Sequence, residues 1–392
     1  MEDVLAENRI FSTVYTLVND LVPVGWSWIA YLAAGMSIIM LVVNSLMIMA
    51  TFYTWVERRL LGRFQSRLGP NRAGPFGLLQ PIADLLKLIS KEDILPRSAD
   101  RIIFNVAPVL MLAATLIVLA VIPFGRGSYI ADLNIGILYV VAISGIGTFS
   151  IFMAGWASAN KYAMFGSMRA IAALVSYEVP MVMSILSVVV LSRSMSMVDI
   201  VEGQSLPFIL VLPMAFMIFM VSISAELNRA PFDIVEAESE LISGYNTEYS
   251  GMKFGTFFAA EFANVLVASA VIAVLFLQGW RWAVLPSHLW FLLKVGALAF
   301  VFIWIRATLP RLRIDQILGF AWKFLLPLSL INLVVAAVEV LSWPEQTALQ
   351  QLYMALINWP VAIVSVVVFS KVVSKRQSVQ PVVRVTVAQE VV

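Results

Sequence analysis

The feature of this sequence that most limits its fold is a succession of apolar runs of roughly 20 residues, recurring along almost its whole length. A hydrocarbon core of roughly 30 Å takes about 20 helical residues to cross. Backbone left unpaired in lipid is too costly, so such runs must be helices or strands of a closed barrel, and continuous apolarity favours helices over alternating strands. Composition agrees, since 61% of the 392 residues are hydrophobic and 13% are charged. The expected fold class is all-α, a polytopic bundle of eight or nine transmembrane helices. The spans fall near 28–56, 104–124, 133–155, 170–191, 207–226, 256–278, 289–308, 324–341 and 353–370.

Charge asymmetry orients the bundle. If the segment after the first span is cytoplasmic, that side collects 21 of the 26 Lys and Arg residues, among them Arg58, Arg59, Arg63, Lys87, Arg306, Arg311, Arg313 and the basic tail. By the positive-inside rule the N-terminus is external and the C-terminus cytoplasmic if all nine runs cross. Residues 1–25 open with Glu2, Asp3 and Glu7 and do not resemble a cleaved signal peptide. The organisation expected is an external segment at 1–27, a membrane domain at 28–341 with large loops at 57–103, 227–255 and 306–323, and an extra helix with a basic tail at 342–392. No part of the composition points to nucleic acid.

Redox chemistry is constrained from the other direction. With no cysteine and one histidine, His288, the chain has no thiolates for an iron–sulfur cluster and no histidine pair for a haem. Electrons that matter to its function are expected on another component, and no metal site is expected.

One segment is apolar without being a span. In GPFGLLQPIADLLKLISKED, Leu78, Leu79, Ile82, Leu85, Leu86 and Ile89 follow helical spacing, while Asp84, Lys87 and Lys91 share the other side. This predicts an amphipathic helix lying in the membrane interface, either as a simple anchor or as part of a site.

Acids inside a bilayer are costly, and those that persist usually face a cavity, a partner or a proton path. Glu178, in VSYEVPM, falls inside the fourth span. Low-dielectric surroundings favour a neutral carboxyl, the property a relay of protons needs, although a protonated Glu bonded to a neighbouring helix would look the same in sequence. Glu226 ends the fifth span and Glu261 lies near the inner end of the sixth, so both could continue a path from Glu178. Lys294 and Glu339 fall near outer ends, where snorkelling to the interface is the expected behaviour and no role is assigned.

The stretch AELNRAPFDIVEAESELISGYNTEYSG gathers six carboxylates. Pro231 suits the first turn of a helix, which would align Asp233, Glu236 and Glu240 on one face with Glu238 turned away. A helix dipole accounts for one or two such acids, not for six, so they are expected either partly protonated or facing cations. RATLPRLRIDQ supplies cations in Arg306, Arg311 and Arg313, and Glu57 and Arg58 close the first span in WVERRLLGRFQSRLGPNRAGP.

Taken in order, ERRLLGRFQSRLGPNRAGPFGLLQPIADLLKLISKED, ASANKYAMFGSMRAIAALVSYEVPM, AELNRAPFDIVEAESELISGYNTEYSGMKFGTFFAAEFAN and IRATLPRLRIDQ closely resemble the quinone-site membrane subunit of proton-pumping NADH:quinone oxidoreductase, respiratory complex I, from about residue 50 to residue 340. The resemblance implies a bacterial inner-membrane subunit docked under a peripheral arm that carries flavin and iron–sulfur clusters. Quinone, ubiquinone or menaquinone, would be the substrate, and this chain would bind no haem, flavin or cluster. The quinone would enter from the bilayer near the first span, the interfacial helix and the sixth span. Carried over by motif, Glu57, Arg58, Asp84, Lys87, Glu226, Arg229, Asp233, Arg306, Arg311 and Arg313 would line or brace the quinone chamber and its neck. Glu178, Glu226, Glu236, Glu238 and Glu261 would form an acidic funnel toward the proton channels of adjacent subunits. The residues that bond the quinone headgroup would belong to a neighbouring peripheral-arm subunit. Ala173 departs from the family pattern, in which Gln is frequent at that position, and the ninth span is absent from short mitochondrial relatives. The alternatives are the equivalent subunit of a membrane-bound hydrogenase or other donor-specific relative or, from intramembrane acids alone, a stand-alone cation/proton antiporter.

Overall fold

A computed structural model describes residues 9–21, 27–233, 243–281, 285–344 and 347–377, and among these the regular structure is helical. A short helix, α1 (Arg9–Asn19), packs against the long α2 (Ser27–Phe64). Then follow α3 (Gln80–Ser90), α4 (Arg101–Val118), α5 (Gly136–Ala157), α6 (Lys161–Ser192), α7 (Met197–Gly203), α8 (Phe208–Val211), α9 (Pro213–Glu226), α10 (Gly251–Phe276) and α11 (Ser287–Thr308). The chain closes with α12 (Ile314–Phe320), a π-helical turn at Ala321–Leu325, α13 (Leu326–Ser342) and α14 (Ala348–Gln377).

Eight of these helices are long and apolar enough to cross a membrane, counting α12, the π turn and α13 as one. The fifth expected span, 207–226, is made instead by α8 and α9 with a break between them. The most apolar stretch of α10 is 78% buried, against 17% in α2 and in α14. This places α10 at the centre, in contact with α2, α4 and α11, while α2 and α14 offer long faces to whatever surrounds the bundle. The helix α6 joins the second half, packing on α5, α9 and α13.

Local chemistry accounts for the departures from the expected boundaries. The fourth span, expected at 170–191, belongs to a helix that starts at Lys161, because the Asn160 side chain accepts the Tyr162 N–H at 2.9 Å and caps it. The following KYAMFGSMRA is rich in good helix formers, so the helix continues past its charges. Likewise α2 runs beyond residue 56 through ERRLLGRF, reaching about 57 Å at 1.5 Å per residue. The π turn lies just before Pro327, whose missing N–H cannot serve the preceding turn.

The break at Leu212 has a cause and a repair. Pro213 has no N–H to offer the Ile209 carbonyl, and Leu212 has a non-helical backbone, φ −121° and ψ 64°. From α14, Asn358 Nδ2 donates to Val211 O at 2.9 Å and Trp359 Nε1 to Leu210 O at 3.1 Å, satisfying carbonyls that lipid could not. Asn358 Nδ2 also donates to Glu339 Oε2 at 2.9 Å. Glu339 therefore does not snorkel; it is 4% exposed and held between helices. Asn358→Leu leaves both acceptors unsatisfied and is expected to cost about 1–3 kcal/mol, read as a lower midpoint for thermal unfolding of the purified assembly.

Lys294 is the second correction to the snorkelling expectation. It is buried, and its Nζ donates to Leu277 O at 2.5 Å, Gly279 O at 2.8 Å and Arg281 O at 3.2 Å. The cation lies just past the C-terminal end of α10, where it meets carbonyls of the turn that follows the helix. The reading of Pro231 as a first-turn residue also changes. It lies in a turn, where the Phe232 N–H donates to Arg229 O at 2.8 Å. The helix expected beyond it, with Glu236, Glu238 and Glu240, lies outside the described residues.

Candidate functional site

Three membrane helices end together at one face of the bundle. There the last turns of α2 present Glu57, the turn after α9 presents Arg229, and the last turn of α11 presents Arg306. Glu57 is 2% exposed. Its Oε1 accepts from Arg229 Nη1 at 2.5 Å and from Arg306 Nη1. Arg229, also buried, lies over the Phe262 ring of α10, 4.7 Å from its centroid. Tyr53, one turn before Glu57, meets the edge of the same ring at 6.0 Å. One buried carboxylate thus accepts from two guanidiniums, one buried and one partly exposed. Glu57 Oε2 is buried without a hydrogen-bond partner.

Beside this clamp α3 lies against α2 and α10. Arg58 Nη1 pairs with Asp84 Oδ2 at 2.5 Å, and Gln80 Nε2 donates to Asp84 Oδ1 at 3.2 Å. Lys87 is exposed, and so are the apolar Leu78, Leu79, Ile82, Leu85, Leu86 and Ile89. Arg59 turns the other way, donating to Phe76 O at 2.9 Å and covering the rings of Trp55 and Phe76. Lys253 joins Asp93 at 2.8 Å, tying the start of α10 to the segment after α3.

The acids of the spans converge on a second feature. A cavity of about 110 Å³ runs between α4, α5, α6, α9 and α10, lined among others by Glu226, Glu261, Ser144, Thr115, Asn228 and Asn264. Glu226 has the Ser144 hydroxyl within hydrogen-bonding reach and is close enough to Glu178 for the two carboxyls to repel. Glu178 is half-buried, its Oε1 3.7 Å from the place a Cβ on Gly145 would occupy. Glu261 Oε1 accepts from the buried Tyr245 hydroxyl at 3.1 Å, and Thr115 Oγ1 donates to Asn264 Oδ1 at 2.7 Å. Glu226 and Glu261 therefore share one partly polar pocket, and Glu178 stands beside Glu226 outside its lining.

Sequence reasoning did not single out Tyr245, Ser144, Thr115 or Asn264, because a lone hydroxyl or amide in an apolar run carries no signal by itself. Tyr245 is placed by Gly166, where a Cβ would come within 2.7 Å of Gly244 Cα, so α6 and the turn before α10 touch backbone to backbone. Nearby, Tyr249 stacks on Phe104 at 4.0 Å and donates to its carbonyl at 3.3 Å. Burial pushes its phenol up, which keeps it a donor.

The remaining expected residues are not all gathered. Asp233 lies close behind Arg229, partly buried, its Oδ1 without a partner. Arg311 and Arg313 are exposed on the connection to α12, which the Leu312 N–H pins to Pro231 O at 3.1 Å. They make no ion pair among the described residues, and Glu236 and Glu238 fall outside those residues. Arg306, expected to face the acidic stretch, is taken up by Glu57.

Comparison with known proteins bears on this arrangement. A family model described as NADH dehydrogenase matches residues 36–337, from α2 to α13. A protein of Dehalococcoides mccartyi, named as the H subunit of NADH-quinone oxidoreductase, is 55% identical over 293 residues, covering 75% of this chain and 83% of that one. Relatives that carry the same name in Syntrophotalea carbinolica and Geobacillus kaustophilus are 48% and 47% identical, covering 93% and 96% of their own lengths and 76% and 81% of this chain.

Proposed function

The chain belongs to the NADH dehydrogenase family as a membrane subunit of an NADH-quinone oxidoreductase, and from that premise we propose how its residues take part in the reaction. The Glu57–Arg229–Arg306 clamp, with Arg58, Asp84 and Lys87 beside it, forms this chain's share of a quinone chamber at the cytoplasmic membrane surface. Asp233, Arg311 and Arg313 brace its loops. Quinone is the substrate, and the residues that bond its headgroup belong to a peripheral-arm subunit that closes the chamber. Glu178, Glu226 and Glu261, continued by Glu236 and Glu238, carry the response toward the neighbouring membrane-arm subunits. The complex sits in the bacterial inner membrane with the C-terminus of this chain in the cytoplasm.

The observation that supports this reading is the short distance along the chain between the two features. Glu226 lines the carboxyl cavity and Arg229, three residues on, grips Glu57. Reducing quinone to quinol takes two electrons, delivered from outside this chain, and two protons. A charge change in the chamber acts on the clamp, whose dry surroundings screen it poorly. The same turn transmits the change to Glu226, where it alters the balance between neutral and ionised carboxyls. Moving one charge against 100 mV requires about 2.3 kcal/mol, and one pKa unit is worth about 1.4 kcal/mol, so shifts of one or two units are of the right size. The cavity of about 110 Å³ has room for several waters beside Thr115, Asn264 and Ser144, enough to join carboxyls that do not touch.

Glu178→Gln tests the reading. The assembled complex is expected to keep passing electrons from NADH to an artificial acceptor at its flavin, while quinone reduction and proton pumping both fall. Wild-type pumping coupled to quinone would remove Glu178 from the path.

A further inference from the structure

The family model ends before α14, yet α14 builds one wall of a large apolar groove. The groove, about 640 Å³, lies between α9, the π turn and α14, with Met214, Met217, Phe324, Leu328, Ile363 and Val367 among its lining. Its wall is apolar apart from the indole of Trp359, which already donates to Leu210 O. An occupant must therefore be apolar over its length, and the volume falls in the range of ordinary ligand sites.

Charge at one end of the groove identifies the occupant further. Lys323 sits in the π turn between Phe320 and Phe324, both in the lining, and Lys371 follows Val367 by one turn of α14 on the same face. Both lysines are exposed, and neither has an ion-pair partner among the described residues. This is the end of the bundle that carries the excess of Lys and Arg. The contrast with Lys294 is direct, since that cation is buried and fully engaged by carbonyls. Two unengaged cations over an open hydrocarbon slot complement a molecule with an anionic head and long apolar tails.

We propose that this groove is a binding site for an anionic phospholipid, its acyl chains lying along α9 and α14 and its phosphate between Lys323 and Lys371. The lipid completes the seam where α14 mends the broken α8–α9 span. It is a structural ligand of the C-terminal helix, separate from the quinone chamber, and it makes the attachment of α14 depend on the charge of the surrounding membrane.

Photocrosslinking in the assembled complex tests this. The photoreactive residue p-benzoylphenylalanine replaces Ile363 or, in a second variant, Val367, and the complex is reconstituted in vesicles of phosphatidylglycerol and phosphatidylcholine, equal in amount and matched in acyl chains. The expected adduct at either position is phosphatidylglycerol in clear excess, reduced about tenfold or more by Lys323→Gln with Lys371→Gln. Equal labelling by the two lipids, or labelling indifferent to the lysine substitutions, would overturn the proposal. So would a crosslink to another polypeptide or to quinone, or the absence of any adduct at both positions.

Discussion

Glu57→Gln is expected to destabilise the assembled subunit by about 3–5 kcal/mol and to abolish quinone reduction, because it removes the buried carboxylate that accepts from both Arg229 and Arg306. The two arginines should differ. Arg229 is 8% exposed in its side chain and Arg306 is 27% exposed, so Arg306→Gln removes a charge that water partly screens and costs less. A double substitution separates structure from function. Replacing a buried ion pair with apolar groups of similar size is often nearly neutral for stability, so Glu57→Leu with Arg229→Met should recover much of the assembly lost in Glu57→Gln. Quinone reduction should stay lost under the proposed coupling of this charge to Glu226. The checks are the yield of intact complex and its quinone-dependent NADH oxidation, measured side by side. Equal recovery of both would make the clamp a packing device only.

The second large effect is expected at Glu226. It shares the cavity with Glu261, repels Glu178 and stands three residues from Arg229, so it is the junction of the two features. Glu226→Gln keeps the shape and the hydrogen-bonding capacity but cannot ionise. Quinone reduction coupled to pumping should fall by about tenfold or more, a barrier change of about 1.4 kcal/mol or greater. Glu226→Asp keeps the charge and should restore part of the rate. Loss in both variants together with loss of the complex would instead mark a folding defect, which the flavin-site activity distinguishes.

Most of the architecture was legible because lipid imposes a simple rule on sequence: apolar runs must be helices, and their ends are marked by charge. Where the rule failed, local chemistry had more to say than hydropathy. Asn160 caps α6 ten residues before its expected span begins at 170, and Pro213 splits a run that reads as continuous. Lys294 and Glu339 looked like interfacial residues by position, but no periodicity reveals the carbonyls of the turn after α10 or the amide of Asn358 that hold them inside. The site was legible as a set of residues more than as an arrangement. That Glu57 would accept from both Arg229 and Arg306, 172 and 249 positions away, depends on how three helix ends converge, which charge counting cannot supply. The grouping of Glu226 with Glu261 also rests on Tyr245 and Asn264, residue types too common to draw notice alone.

The most direct measurement is the paired rates of quinone reduction and proton translocation, taken in proteoliposomes containing the assembled complex with Glu226→Gln and compared with Glu226→Asp and with the unaltered protein. If carboxyls in the shared cavity pass on the charge change of quinol formation, the Gln variant should lose pumping and quinone turnover together while still accepting electrons from NADH at the flavin, and the Asp variant should regain part of both. A Gln variant that reduces quinone and pumps at the unaltered rate would contradict a proton relay through this cavity.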